Sequence, residues 1–232
     1  MGLTATLDQL PDQSLADAVA GRLRRAIHAG VLQPGARLVE RALAAHFGVS
    51  HIPVREAFAR LEEEALVVRF PRRGARVAEV SERTLAELSE IRVVLERLVV
   101  RRVQAAWSAE AEERLRAIAT EMQTAAAAGD VAAVYDLDWR FHETLWRLAD
   151  HAILLEVVAQ MRGRIERFLR VATLALPPEA LRAHADEHVA LLESIGSGSR
   201  TRAERAMERH IGVAAERIAR SGELGQGVEP GR

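Results

Sequence analysis
The chain contains no cysteine, which excludes disulfide bridges and thiolate metal sites and leaves any bound metal to His, Asp or Glu side chains. It contains no lysine either, so all 32 basic residues are arginine; this is compatible with phosphate and guanine contacts and equally with a simple compositional bias. No apolar run approaches the ~20 residues that cross a bilayer, and no N-terminal run joins positive charge to an apolar core. A cytoplasmic protein that does not enter a membrane is therefore expected. No repeat of solenoid type is present. What is present suffices for a core: 232 residues, 49% of them hydrophobic, with two domains expected from the length prior of ~150 residues each. The net charge of -1 is unevenly divided. Residues 1–77 hold 11 arginines against 8 acidic residues, a net +3, and the remainder carries -4.

The fold class expected is mainly α, with an N-terminal winged helix-turn-helix followed by an all-α antiparallel helical bundle. Residues 1–13 are polar and aperiodic and are read as a flexible leader. From Ser14 to Val80 the pattern is that of a winged helix-turn-helix. Ser14 is placed to cap a helix carrying Leu15, Val19, Leu23 and Ile27, which stops at Gly30. Leu38, Leu43 and Phe47 suggest a second, short helix ending at Gly48. Ser50 can cap a third over Ser50–Glu64, with Pro53 in its first turn, where the missing amide hydrogen is not needed. Two short helices joined by Phe47-Gly48-Val49-Ser50 match a motif whose second helix enters the major groove. Two strands, Val67–Phe70 and Ala75–Val80, joined by the basic tip Pro71-Arg72-Arg73-Gly74, form a candidate wing. Glycine there permits positive φ and close backbone approach, and the arginines supply charge toward phosphate.

The run Ile27 to Leu38 (IHAGVLQPGARL) together with Val49 to Ala57 (VSHIPVREA) resembles the DNA-binding domain of GntR-family bacterial transcription regulators. The resemblance implies contact with double-stranded operator DNA by Arg41, by Ser50, His51 and Arg55 on the recognition helix, and by Arg73 and Gly74 in the wing. Two positions depart from the family's pattern: His51 stands where arginine is usual, and Ala65 where glycine is common. Arg22, Arg24, Arg25 and Arg60 are read as ordinary surface charges. For Arg55 the alternative to DNA contact is an ion pair with Glu56 or another nearby carboxylate.

From Ser81 the strand-like pattern disappears. Ser81, Ser108 and Asp130 can each cap a helix; the first ends near Trp107, and the second reaches Ala128 before Gly129. Further helices are expected at about 152–172, 178–195 and 201–220, and residues 221–232 as a flexible tail. Within the helix that Asp130 begins, Asp138 and His142 are four residues apart and so share a face, which can present an oxygen and a nitrogen to one cation. His188 and His210, on later helices, would complete a shell of three imidazoles and one carboxylate.

Asp-x-x-x-His followed by two separated histidines resembles the metal-binding branch of the FCD domain, the FadR-like C-terminal bundle of GntR regulators, so the resemblance runs from about Ser14 to Arg220. It implies a dimerising domain over 81–220 that holds a divalent metal ion, zinc or nickel, at Asp138, His142, His188 and His210, and a small carboxylate effector. Arg92, with Glu96 one turn later, resembles that domain's Arg-x-x-x-Glu pair, in which the guanidinium meets the effector. The alternative is an internal ion pair between the two. His184, one turn before His188, could compete as a ligand, but the helix over 178–195 would have to rotate toward a different face. His151 is given no effector contact, His28 and His46 are read as packing or surface residues, and Trp107, Trp139, Phe141 and Trp146 as core.

These readings add up to a homodimeric repressor that senses a small organic or sugar acid through its metal. In a second reading the metal itself is the signal. In a third, a metal-dependent hydrolase, the metal activates water; this finds little support, because Glu143 and Glu187 should face away from their neighbouring ligands.

Overall fold
The structure, a computed structural model, describes residues 14–28, 30–70, 73–79, 81–174 and 176–220. The expected leader and tail, the wing-tip residues Pro71 and Arg72, and Val80 lie outside the described residues. The chain divides between Ala78 and Glu79 into two compact units, each with its own hydrophobic cluster.

The first unit runs α1 (Leu15–His28), β1 (Arg37–Leu38), α2 (Glu40–Phe47), α3 (His51–Glu63), β2 (Val67–Phe70) and β3 (Gly74–Val77). Ser14 caps α1, its hydroxyl accepting from the Asp17 amide at 3.1 Å. Gly48 closes α2 in the left-handed region, φ 68°, with its N–H returned to the carbonyls of Ala44 and Ala45. Ser50 then takes the extended N-cap conformation of α3, but its side chain makes no capping bond, which leaves its hydroxyl free of that local role. Val19, Leu23, Val54, Phe58, Leu61 and Val77 form the core between α1, α3 and the sheet.

The strands are antiparallel in the order β1-β3-β2. β1 corrects the sequence reading. Leu38 does not begin the second helix; it is buried in a two-residue strand opposite Ala75, and α2 starts at Glu40. That pairing joins residues far apart in sequence, so local periodicity cannot reveal it. β3 also starts one residue earlier than expected and ends at Val77. Gly74, at φ +87°, has the positive φ expected of it, yet the close approach is to protein: a Cβ there would lie 2.5 Å from the Leu38 carbonyl oxygen. Ala65 sits at φ 55°, a left-handed conformation that costs an alanine about 1 kcal/mol or more. This is the physical reason glycine suits that position.

The second unit is all helical among the described residues: α4 (Glu82–Ala105), α5 (Ala109–Ala127), α6 (Val131–Leu148), α7 (Ala152–Leu174), α8 (Leu181–Gly196) and α9 (Arg200–Arg220). Ser81, Ser108 and Asp130 each accept from the backbone amide three residues on, so three expected helix starts are formed by the side chains that announced them. α8 begins at Leu181 because Pro178–Ala180 forms a tighter 3-10 turn first. α4 packs mainly on α9, α5 lies against α6 and α8, and α7 lies against α6 and α9. Val99, Leu115, Met122, Phe141, Leu145, Phe168 and Met207 fill the interior. The inward faces of α4, α6, α8 and α9 carry something different: Arg92, Glu96, Asp138, His142, His184, His188 and His210, all buried.

Candidate functional site
Asp138 and His142 lie one turn apart on α6, His188 comes from α8 and His210 from α9. One donor atom from each lies within 4.8 Å of all the others. Asp138 Oδ1 is 3.2 Å from His188 Nε2 and 3.5 Å from His142 Nε2, which is itself 3.2 Å from His210 Nε2. Donors bound at about 2.0–2.2 Å stand about 2.8–3.1 Å apart as neighbours in an octahedral array and about 3.3–3.6 Å apart in a tetrahedral one, so these three separations suit one first-row cation. His188 Nδ1 donates to the His184 carbonyl at 3.0 Å, which keeps its Nε2 lone pair for the cluster.

Electrostatics favour the ligating forms. Burial lowers the His142 imidazole to about 3 against the pull of Asp138, and burial with the neighbouring rings holds His210 well below its usual range. Both rings are thus neutral. Burial alone would raise the Asp138 carboxyl, but the His188 and His184 rings, as cations donating to it, outweigh burial and hold the group well below the ordinary carboxylate range; at His188 Nε2 a bound metal ion would take the place of that proton. A carboxylate and imidazoles without thiolate make a donor set for zinc, nickel or a similar divalent ion. The Nδ1 atoms of His142 and His210 are buried without a hydrogen-bond partner; for His142 the nearest carboxylate oxygen, Glu96 Oε1, is 3.9 Å away.

Arg92 is buried over the Phe168 ring, its guanidinium carbon 4.7 Å from the ring centre. None of its three nitrogens has a hydrogen-bond partner. Its ion pair with Glu96 is present but long, at 3.5 Å, and Glu96 turns its other oxygen to the Trp146 indole N–H at 3.0 Å. Burial lowers the Arg92 pKa, opposed by Glu96 and Asp138, so the guanidinium shares the electrostatic field of the cluster. A buried guanidinium with all its nitrogens unbonded is a costly arrangement that an incoming anion would relieve.

His184 lies outside the set of mutually close donors, as expected, but it reaches the cluster without any rotation of α8. It sits one turn before His188 on the same face of α8, is buried, and directs Nε2 to Asp138 Oδ2 at 3.2 Å. Burial works against its protonated form, but hydrogen bonds to Asp138 and Glu187 prevail and raise it to about 9. Thr173 on α7 reaches the same oxygen at 3.4 Å. The four-residue spacing from His188 could have revealed His184; no sequence signal announced Thr173. His151 has a local role, Nδ1 accepting from the Leu154 amide at 3.3 Å near the start of α7.

In the first unit, Arg41, Arg55, Arg73 and Gly74 line one open cleft of about 640 Å³ together with Glu40. Ser50 and His51 are exposed at the start of α3. Arg55 pairs with Glu40, Nε to Oε2 at 2.8 Å, so the competing carboxylate is Glu40 and not Glu56. That exposed pair is worth at most about 1 kcal/mol. Arg24 and Arg60 bind Glu64 and Asp17, which ties α1 to the end of α3.

Comparison with known proteins gives the family of each unit. The family described as "Bacterial regulatory proteins, gntR family" matches residues 15–77, and the FCD domain family matches residues 87–213. The HTH-type transcriptional repressor RspR of Escherichia coli K12 is 28% identical over 210 residues, covering 90% of each chain. The gluconate operon transcriptional repressor of Bacillus licheniformis is 32% identical over 157 residues, 68% of this chain and 64% of that protein. Among solved structures, E. coli McbR/YncC superposes with a TM-score of 0.69 at 26% identity, covering 88% of this chain and 98% of that one.

Proposed function
Because this chain belongs to the gntR family of bacterial regulatory proteins, and is a DNA-binding transcription regulator and not an enzyme, we propose that its helical domain is a metal-centred receptor for a small organic or sugar acid. Asp138, His142, His188 and His210 hold the divalent ion, zinc or nickel. When bound, the ion supplies a Lewis-acid anchor for an oxygen of the anion. Arg92 takes the carboxylate of the same anion by charge-assisted hydrogen bonds. The observation that carries this reading is the buried Arg92 guanidinium, held by no more than a long ion pair with Glu96 and a ring face, beside a cluster of ready metal donors.

The winged domain, residues 14–80, reads the operator. Arg55, Ser50 and His51 enter the major groove on α3, Arg41 sits before the turn, and Arg73 with the Gly74 backbone meets the flanking phosphates. A homodimer presents two such heads to half-sites about one DNA turn, or a multiple of it, apart. The protein acts as a cytoplasmic repressor, in keeping with the repressor names of its relatives. The effector moves the equilibrium between head arrangements by its differential affinity for them, a coupling of about 1–3 kcal/mol or 5–150-fold.

The test uses protein purified without chelator and an operator selected from a random-core duplex pool. Operator affinity is followed by fluorescence anisotropy while a panel of sugar and hydroxy acids is added, with gluconate included because one relative is named for the gluconate operon. At least one acid should shift the affinity of the metal-loaded protein and leave the Asp138→Ala variant unchanged. If metal alone produces the whole shift and no acid adds to it, the metal is the signal and the acid receptor is wrong.

A further inference from the structure
We infer that His184 is a positioning residue for the metal centre, holding two of its four donors in register through separate atoms. The inference rests on the cluster being a metal site. The imidazole Nε2 meets Asp138 Oδ2 at 3.2 Å, while the other carboxylate oxygen, Oδ1, is the one that faces His188 and His142. The carboxylate is thereby divided, with one oxygen for the ion and one for His184. The backbone carbonyl of the same residue takes the Nδ1–H of His188 at 3.0 Å. A single turn of α8 thus orients a donor on α6 and a donor on α8.

Hydrogen inventory shows which way the imidazole bond runs. In the neutral ring Nδ1 accepts, because Arg217 Nη1 lies 3.3 Å from it and a guanidinium only donates, so the ring hydrogen sits on Nε2. Were Nδ1 also protonated, toward Glu187 Oε2 at 3.8 Å, Nε2 would still carry its hydrogen. Asp138 Oδ2 therefore receives a hydrogen bond from His184 in either state. Thr173 is the weaker donor, because its one hydroxyl hydrogen is directed to the Leu169 carbonyl at 2.9 Å, nearer than Oδ2 at 3.4 Å. His184 is not itself a fifth ligand: a protonated Nε2 has no lone pair to give, and the ring lies outside the set of mutually close donors. Removing its N–H leaves a buried carboxylate oxygen short of its principal donor, and loss of such a supporting bond typically costs 10–100-fold in metal affinity.

Two variants of similar size separate the donor from its bulk: His184→Met fills the space without an N–H, and His184→Gln retains one. Zinc affinity is measured by competition with a chromophoric chelator, coordination by the visible spectrum of the cobalt-loaded protein, and packing by the melting temperature of the metal-free protein. His184→Met should bind zinc about 10–100-fold more weakly, and His184→Gln should recover most of that loss at a similar melting temperature. Wild-type affinity in His184→Met overturns the inference. So does a His184→Gln variant that binds as weakly as His184→Met and shows an altered cobalt spectrum, since His184 would then be a ligand. If His184→Met does not fold, imidazole nitrogen NMR of the zinc-loaded wild-type protein decides: a protonated His184 Nε2 supports the inference, and a deprotonated, metal-shifted one contradicts it. A wild-type chain that takes up no zinc defeats the metal reading as well, whereas wild-type uptake with an unaffected His184→Met defeats only the role given to His184.

Discussion

Arg55 and Arg92 are the same chemical group in opposite surroundings, one with its side chain 69% exposed beside Glu40 and the other 1% exposed beside Glu96. In the first unit guanidinium groups line an open cleft, water solvates them, and their ion pairs exchange cheaply for a phosphate or a base edge. In the helical unit a guanidinium, two carboxylates and four imidazoles are enclosed together, where an unmet polar group is expensive. The first arrangement suits a polyanion that arrives along a surface and leaves with rising salt. The second suits one ion and one small anion held in fixed geometry.

The contrast can be broken from either side. The largest effect is expected at the buried end: Asp138→Ala removes the only carboxylate donor of the cluster and should lower zinc affinity by more than about 100-fold, read by chelator competition. Unchanged affinity would separate the cluster from metal binding. Next, Arg55→Ala and Arg73→Ala should each weaken operator binding by about 10–100-fold for a base contact and somewhat less for a phosphate contact. Only Arg55→Ala should relax sequence preference, whereas Arg73→Ala should flatten the salt dependence. Equal loss of preference in both variants would mean that wing and helix are not divided as described.

A third prediction concerns the cost of the enclosed pair. Replacing Arg92 and Glu96 together by Met and Gln exchanges a long buried ion pair for neutral groups, with the Gln oxygen still able to accept from Trp146. The metal-free protein should gain about 1–4 kcal/mol, and its response to the acid should vanish. A destabilised double variant, measured by denaturant unfolding, would show that the pair supports the fold and is not reserved for a ligand. The smallest effect is in the head, where Ala65→Gly relieves a left-handed alanine and should stabilise that unit by about 0.5–1 kcal/mol.

What could be read from sequence was what residues declare locally. Ser81, Ser108 and Asp130 announced their helices because a cap acts within three residues, and Asp138 with His142 announced a shared face because helical spacing guarantees it. Assembly of those two with His188 and His210 was reached through the family resemblance and the order of the four residues, since no local rule brings three helices together. Long-range pairing hid the rest. Leu38 passed for helix because its partner, Ala75, lies on another strand, and the need for glycine at position 74 lies in the Leu38 carbonyl and not in the turn alone. His184 differs: its four-residue spacing from His188 obeys the same rule as Asp138 and His142, so it reaches the cluster with no rotation of α8, and what spacing cannot show is that it meets the carboxylate and not the ion. Phe168 beneath Arg92 and Thr173 beside Asp138 come from α7, which carried no sign of the site.

The most direct test is the metal content and anomalous diffraction of protein purified without chelator and dialysed against zinc. One equivalent per chain, with an anomalous peak enclosed by Asp138, His142, His188 and His210, is the result predicted. Protein that binds no metal under those conditions, or binds it elsewhere, contradicts the account.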